Sequence, residues 1–187
     1  HPVRNRDLGV SYLDFRDWRE ATRTFESLAA FTSTTANVSD EGQLPEQFNG
    51  TYLNANAFPI MRQRPALGRD FLPEDDRPGA AAVVLIGHGI WQNRYGSNPN
   101  VIGRTIRINA RDFTVVGIAP EGFTGTMVMV SADVYLPLGV YDTVVSSRPA
   151  VGFVRAGTRG LGDRSHHNLA VAGRLKPGLS DAFASAR

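Results

Sequence analysis

Three histidines are the first residues to consider for chemistry, because an imidazole titrates near neutral pH and binds metal ions. His88 stands between Gly87 and Gly89, and His166 and His167 are adjacent near the end of the chain. A catalytic zinc site requires three defined protein ligands, and no further ligand stands at a suitable spacing from these histidines. We therefore expect His88 to be a structural residue of a glycine turn and the adjacent pair to bind metal only adventitiously.

Carboxylates occur in two arrangements that could hold a cation or act as an acid–base pair. Asp14 and Asp17 share one face of a predicted helix, and Glu74, Asp75 and Asp76 are consecutive. A calcium loop alternates its oxygen ligands and contains a turn glycine, and the acidic trio has neither property. We expect the helical pair to be solvated and the trio to belong to a solvated linker.

Established catalytic motifs are absent from the sequence. It contains no H-E-x-x-H helix, no phosphate loop and no G-x-S-x-G elbow, and the glycines between 152 and 162 lack the dinucleotide-binding spacing. The triplets that begin at Asn37 and Asn49 match the glycosylation signal, which is frequent by chance. The sequence therefore predicts no catalytic, cofactor-binding or metal-ligating residue.

The composition of the 187 residues is that of an ordinary globular protein, with 42% hydrophobic and 20% charged residues. A net charge of +2, dispersed along the chain, argues against a nucleic-acid-binding face. The absence of cysteine excludes disulfides and thiol catalysis. No apolar run approaches the roughly 20 residues of a membrane helix, and no signal peptide is recognisable, so we expect a soluble excised piece of a protein.

The most ordered pattern lies between residues 83 and 123. The apolar run from Val83 to Ile86 predicts a buried strand, and the spacing from Ile90 to Tyr95 predicts a helix that ends at Gly96. Two alternating runs then predict a β-hairpin whose connection is formed by residues 109–112. The predicted order is strand, helix, hairpin.

The N-terminal part predicts a long amphipathic helix over residues 12–31, with Ser11 as its N-cap and Trp18 in its apolar stripe. A hairpin over residues 34–53 follows, in which Pro45 favours an edge position for the second strand. Residues 55–61 predict a short helical segment and residues 64–78 a loop. We expect Trp18 and Trp91 each to anchor a core.

The C-terminal part predicts strands over residues 133–138 and 169–175, separated by a surface loop over residues 141–163. Ser180 can cap a helix, but only seven residues follow it. We therefore expect a frayed C-terminus, together with an under-covered apolar surface or an open strand edge near Phe15 and Trp18.

Several short motifs, in their order and spacing, resemble the MacB-like periplasmic core domain of ABC-transporter permeases, a group that includes the FtsX-type permeases. They extend from Ser11 to Gly178, over most of the chain. The motifs are Asp14-Phe15 with Asp17-Trp18-Arg19, the segment from Arg64 to Arg69, the strand before His88-Gly89, Trp91-Gln92 with Tyr95-Gly96, the segments from Val101 to Arg104 and from Val115 to Ile118, Pro120 with Gly122-Phe123, and the segment from Arg174 to Gly178.

Strands and helices mixed without a regular βαβ alternation indicate an α+β fold. The resemblance implies two lobes. Residues 1–78 and 164–187 would form a discontinuous first lobe, and residues 79–145 a second mixed α/β lobe inserted into it. Residues 146–163 would then be a loop that crosses back.

The resemblance also implies a function without enzymatic activity or cofactor. The domain would lie on the periplasmic side of the bacterial inner membrane and couple cytoplasmic ATP hydrolysis to substrate export or mechanotransmission. Its partners would be the membrane helices of the same permease, a separate ATP-binding subunit or domain, a second copy in a homodimer and a periplasmic adaptor, with no nucleic acid.

Two other functions stay open at the level of sequence. A stand-alone extracytoplasmic ligand- or protein-binding module would be supported by an apolar pocket with convergent polar groups. A hydrolase whose site assembles from scattered residues would be contradicted by a lack of turnover on broad substrate panels and by flat pH–rate behaviour.

Overall fold

The structure is a computed structural model that describes residues 9–40, 42–123, 132–146 and 160–179. The helices are α1 (Tyr12–Ala21), α2 (Ala57–Ile60), α3 (His88–Tyr95) and α4 (Tyr141–Ser146), with 3-10 turns at Pro99–Val101 and Leu138–Val140. The strands are β1 (Phe25–Ser39), β2 (Glu46–Leu53), β3 (Leu67–Gly68), β4 (Val83–Ile86), β5 (Thr105–Ile108), β6 (Arg111–Ile118), β7 (Val134–Pro137) and β8 (Ala170–Leu175).

Six strands form a closed ring through their hydrogen bonds, in the order β1, β2, β7, β4, β6 and β5, with β5 pairing back to β1. The pairs β2–β7 and β4–β6 are parallel, and the other four are antiparallel. β3 pairs with β6, and β8 pairs with β1. The fold is therefore α+β with one mixed sheet, as the sequence predicts.

Strand β1 joins the ring to β8. Its C-terminal half pairs with β2 from Phe31 to Val38, and Val38 and Ser39 pair with β5. Its N-terminal half, from Phe25 to Phe31, pairs with β8. One 15-residue strand thus has three partners.

Strand β4 explains why its sequence is apolar without alternation. Val84 and Ile86 belong to one buried cluster, whereas Val83 and Leu85 belong to a second one on the opposite face. All four side chains are buried because both faces of the sheet are covered at this position. Phe58 of α2 lies at the centre of the second cluster.

The predicted strand, helix and hairpin between residues 83 and 118 are confirmed. Helix α3 ends at Gly96, which has a φ of 59° in the left-handed region. The hairpin connection is shorter than predicted, since only Asn109 and Ala110 lie between the strands, with φ values of 49° and 66°. Two successive positive φ values match the twist of the paired strands.

The predicted helix over residues 12–31 is correct only in its first half. Ser11 caps α1 as expected: its hydroxyl accepts the Asp14 N–H at 3.1 Å and donates to the Asp14 carboxylate at 2.6 Å. The helix ends before Thr22, which is extended (ψ 130°) and accepts the Phe25 N–H. Pairing with β8 makes the following residues a strand, although their apolar spacing also suits a helix.

The predicted hairpin of β1 and β2 is confirmed, but the edge position of β2 is wrong. From Gly50 to Leu53 the strand pairs with β7 on one side and with β1 on the other. Pro45 precedes the strand and removes no ladder hydrogen bond. The helical segment at 57–60 and the strands β7 and β8 agree with prediction.

The division into two lobes stays a prediction, and strands from both predicted lobes share the one sheet. The helix expected after Ser180 and residues 147–159 of the expected loop lie outside the described residues. Within residues 141–146, the chain forms α4 rather than a loop.

Candidate functional site

An apolar groove lies between α1, the start of β1 and β8, and we call it the α1–β8 groove. It has a volume of about 900 Å³. Most of the side chains that line the groove are apolar, and they are those of Val10, Trp18, Ala21, Phe25, Leu28, Leu169, Ala170 and Val171. Gly9, Thr22 and Gly173 complete this wall. The polar side chains of His167 and Asn168 also line the groove. A binding module would present a feature of this kind.

Local packing fixes the shape of the groove. A Cβ atom on Gly173 would lie 2.5 Å from the Phe25 ring and 2.7 Å from a Leu28 methyl, so a larger residue at this position of β8 would displace these two side chains. At the other end, Val10 and Leu169 exchange two backbone hydrogen bonds. The helix, the strand and the bridge therefore hold the walls in place.

Strand β8 is an edge strand in the part of the chain that the structure describes. It pairs with β1 on one side, and no described strand pairs with its other side. The open strand edge expected near Phe15 and Trp18 stays a prediction, because residues 1–8 and 180–187 lie outside the described residues. Such an edge presents backbone donors and acceptors to solvent.

Trp18 does not have the core position that its spacing predicts. Its side chain is 51% exposed, whereas Phe15 on the same helix is fully buried. Phe15 belongs to the first buried cluster, whereas Trp18, in the last turn of α1, does not. Trp91 is half-buried against the first cluster, and its indole N–H donates to the Asn98 carbonyl at 3.0 Å.

The two tryptophans should therefore differ in their effect on stability. We expect Trp18→Ala to change the free energy of unfolding by less than about 1 kcal/mol. We expect Trp91→Ala to lower it by about 2 kcal/mol, because packing and a hydrogen bond are lost. Urea denaturation of both variants measures this difference. Equal losses would contradict the placement of Trp18.

Asp14 and Asp17 are not simply solvated, because both bind Arg164. The Arg164 guanidinium donates to Asp14 at 2.5 Å and to Asp17 at 2.9 Å. The hydroxyl of Ser11 and then the guanidinium lower the pKa of the Asp14 carboxyl. This clamp connects α1 to the turn before β8, beside the groove. The sequence contains no signal that Arg164 binds Asp14 and Asp17, because these residues lie 147 or more positions apart.

The histidines take up structural positions. His166 Nε2 lies 3.1 Å from the Tyr141 hydroxyl, which also accepts a hydrogen bond from the Asn168 amide at 2.7 Å. A ring nitrogen of His167 lies 3.0 Å from the Arg164 carbonyl. His88 begins α3 rather than lying in a free turn. Among the described residues no three His, Cys, Asp or Glu side chains are grouped to hold a metal ion.

The acidic trio is not a solvated linker. Asp75 is buried, accepts the Leu72 N–H at 2.8 Å and pairs with Arg69 at 2.8 Å. Asp76 accepts the Ala55 N–H at 2.8 Å. Only Glu74 is exposed. The sequence could not show this, because the burial arises from elements that are distant along the chain.

The asparagines of the two glycosylation triplets lie on exposed strand positions. The Asn37 side-chain amide donates to the Asn109 side chain at 3.2 Å. The Asn49 backbone N–H donates to the Asp133 carboxylate at 3.2 Å. Both residues connect β1 or β2 to neighbouring segments.

A buried ion pair is a further feature that sequence reasoning missed. The Arg94 guanidinium, on a side chain 7% exposed, lies 3.4 Å from the Asp40 carboxylate, whose side chain is 3% exposed. It also donates to Glu46 and to the Leu44 carbonyl, each at 3.2 Å. The pair fixes the loop between β1 and β2 onto α3.

Comparison with curated proteins shows similarity to exporters. The chain is 30% identical over 122 residues to the macrolide export ATP-binding/permease protein MacB of Chlorobium luteolum, which covers 63% of this chain and 18% of that protein. It is 35% identical over 68 residues to the pyoverdine export ATP-binding/permease protein PvdT of Pseudomonas syringae pv. tomato, which covers 36% of this chain and 10% of that protein. The chain thus spans less than one fifth of the length of these relatives.

Solved structures share the fold at low sequence identity. The periplasmic region of MacB from Actinobacillus actinomycetemcomitans matches with a TM-score of 0.67 at 15% identity, over 97% of this chain and 72% of that chain. The extracellular domain of the noncanonic ABC-type transporter YknZ from Gram-positive bacteria matches with a TM-score of 0.65 at 13% identity, over 96% and 79%.

No helix among the described residues has the length and apolar character to cross a membrane. The model of the MacB-like periplasmic core domain family matches residues 3–186, which is nearly the whole chain. This chain therefore belongs to the MacB-like periplasmic core domain family found in ABC-transporter permeases.

Proposed function

We propose that this domain is the non-enzymatic extracytoplasmic part of a bacterial inner-membrane permease and transmits motion driven by cytoplasmic ATP hydrolysis. The observation that carries the proposal is the family match over residues 3–186. The proposed partners are the membrane helices of the same permease, a separate ATP-binding subunit or domain, a second copy of the permease and a periplasmic adaptor. The proposed outcome of the motion is export of a substrate or a mechanical signal.

The geometry supports transmission through the β1–β8 part of the sheet. Val10, near the first described residue, is bridged to Leu169 just before β8. Beyond β8, the Lys176 N–H donates to the Thr24 carbonyl just before β1. A displacement applied at either position would be transmitted to β1 and β8. It would also reach the six-stranded ring, because β1 belongs to that ring. This arrangement suits a two-state shift biased by nucleotide.

The test uses the complete permease with its ATP-binding component. We expect that a ten-residue Gly-Ser insertion after Leu179 abolishes export while ATP hydrolysis continues, because a flexible linker transmits little force. The control carries the same insertion after Gly79, an exposed turn residue with open space around it. Retained export with the linker after Leu179 would contradict mechanical coupling and favour a binding module.

A further inference from the structure

The loop over residues 69–80, called the acidic loop, lies between β3 and β4 and carries one buried carboxyl group, that of Asp75, and two partly buried ones, those of Asp70 and Asp76. Asp75 pairs with Arg69, as described above. Asp70 accepts the Phe71 N–H at 2.7 Å, and Asp76 accepts the Ala55 N–H. The ion pair with Arg69 therefore compensates Asp75, and the partly buried Asp70 and Asp76 have no ion pair of this kind among the described residues.

The acidic loop lies directly between two other segments. Asp76 reaches the connection from β2 to α2 through the Ala55 N–H. On the other side, a Cβ on Gly139 would collide with the backbone carbonyl oxygens of Asp75 and Arg77, so the loop lies against the 3-10 turn at Leu138–Val140. Opening of the acidic loop would remove its contacts with both the Ala55 connection and the 3-10 turn at Leu138–Val140.

Asp76 is the least compensated group in the loop. Its Oδ1 is buried and has no hydrogen-bond partner among the described residues. A buried oxygen that carries charge without a donor is unfavourable, and protonation removes the charge. The geometry alone thus favours the neutral carboxyl.

The charges around Asp76 do not reverse this preference. Burial raises the pKa of Asp76 to about 6, while the Ala55 N–H and the positive charge of Arg19 on α1 lower it and Asp75 raises it further. Burial likewise raises the pKa of Asp70 to about 6, against the Phe71 N–H and Arg69. Helix α2 and the turn at Leu138–Val140 contain no titratable side chain.

We propose that the acidic loop is a proton-sensitive clasp, in which a neutral Asp76 holds the Ala55 connection closed and an ionised Asp76 loosens it. The folded state binds the Asp76 proton more tightly than the unfolded chain, whose carboxyl has the ordinary value of 3.8. The stabilisation is therefore complete below that value and is lost as the pH rises through about 6. This inference goes beyond the transport role, because it concerns only contacts within the domain.

The test measures hydrogen exchange of the Ala55 amide in the 187-residue chain at pH 5 and pH 7, corrected for intrinsic exchange. We expect the protection factor of the Ala55 amide to be up to about tenfold higher at pH 5 than at pH 7. This factor follows from linkage for a carboxyl whose pKa is at its ordinary value in the unfolded chain and about 6 in the folded state. Asp76→Asn keeps an oxygen that accepts the Ala55 N–H but cannot ionise, so the dependence should shrink to the part that Asp70 contributes. Glu74→Gln removes an exposed carboxyl of the same loop and should leave the dependence unchanged.

A pH dependence that is undiminished in Asp76→Asn, or that disappears in Glu74→Gln, would overturn the proposal. A second measurement covers the case in which a variant does not fold. Carboxyl carbon NMR of the unmodified protein should show Asp76 titrating about two pH units above the ordinary value of 3.8. A midpoint at the ordinary value would equally overturn the clasp.

Discussion

Replacing Phe58 with alanine is expected to lower the free energy of unfolding by roughly 3–5 kcal/mol, the usual cost of emptying a buried aromatic site. Phe58 is fully buried, although α2 is only four residues long. Its ring stacks on Phe123 with centroids 4.6 Å apart, and it meets Tyr135 of β7 edge-on at 5.7 Å. The alanine variant loses these contacts and leaves a cavity between α2 and the sheet.

Urea denaturation followed by circular dichroism measures this loss. Leu44→Ala is a matched control, because Leu44 is also a large apolar residue but is 86% exposed. We expect that control to change the free energy of unfolding by no more than about 0.5 kcal/mol. A loss below about 1 kcal/mol for Phe58→Ala would mean that α2 does not pack on the second cluster.

Replacing Arg94 with alanine is expected to lower the free energy of unfolding by about 3–5 kcal/mol, because it leaves the buried Asp40 carboxylate without its partner. Removing both charges should cost much less. In the Asp40→Ala/Arg94→Ala double variant no uncompensated buried charge stays at the site, because the Glu46 side chain is 58% exposed. A double-mutant cycle therefore should give a large coupling energy between the two positions.

Arg164→Ala is the matched control for Arg94→Ala. Each arginine binds two carboxylates, but the Arg164 side chain is 54% exposed, whereas that of Arg94 is 7% exposed. Solvent screens the exposed clamp, so its loss should cost much less than the loss of Arg94. Similar losses from the two variants would show that burial does not set the strength of these ion pairs.

The sequence predicts the central part of the fold well, because its signals are local. The segment from Val83 to Ile86 is apolar without alternation, and Gly96 marks the end of the next helix. Strands β5 and β6 alternate on either side of a two-residue turn. Each of these patterns reflects the burial or backbone conformation of the residue that carries it.

The prediction fails where a distant partner decides the structure. Phe25 and Leu28 fit the period of a helix that continues from Phe15, and only their pairing with β8 makes them part of a strand. Trp18 was expected in the core for the same reason. Its exposure follows from the early end of α1, which local spacing does not show.

The candidate site was less predictable than the fold. The α1–β8 groove depends on contacts between residues 9–28 and 167–173, which are far apart along the chain. Asp75 and Asp76 appear in the sequence as an ordinary acidic run, and their burial depends on Arg69, Ala55 and Gly139. Contacts between residues so far apart in the chain cannot be detected from a single sequence.

The shared strand β1 also has a consequence for the order of events during synthesis. Its C-terminal half meets β2 almost at once, but Phe25 pairs with Leu175, which is made 150 residues later. At 5–20 residues per second, the N-terminal half of β1 waits roughly 8–30 s for its partner. During that interval an apolar strand edge is open to other chains, so this part of the nascent domain is most exposed to misassembly just before β8 emerges.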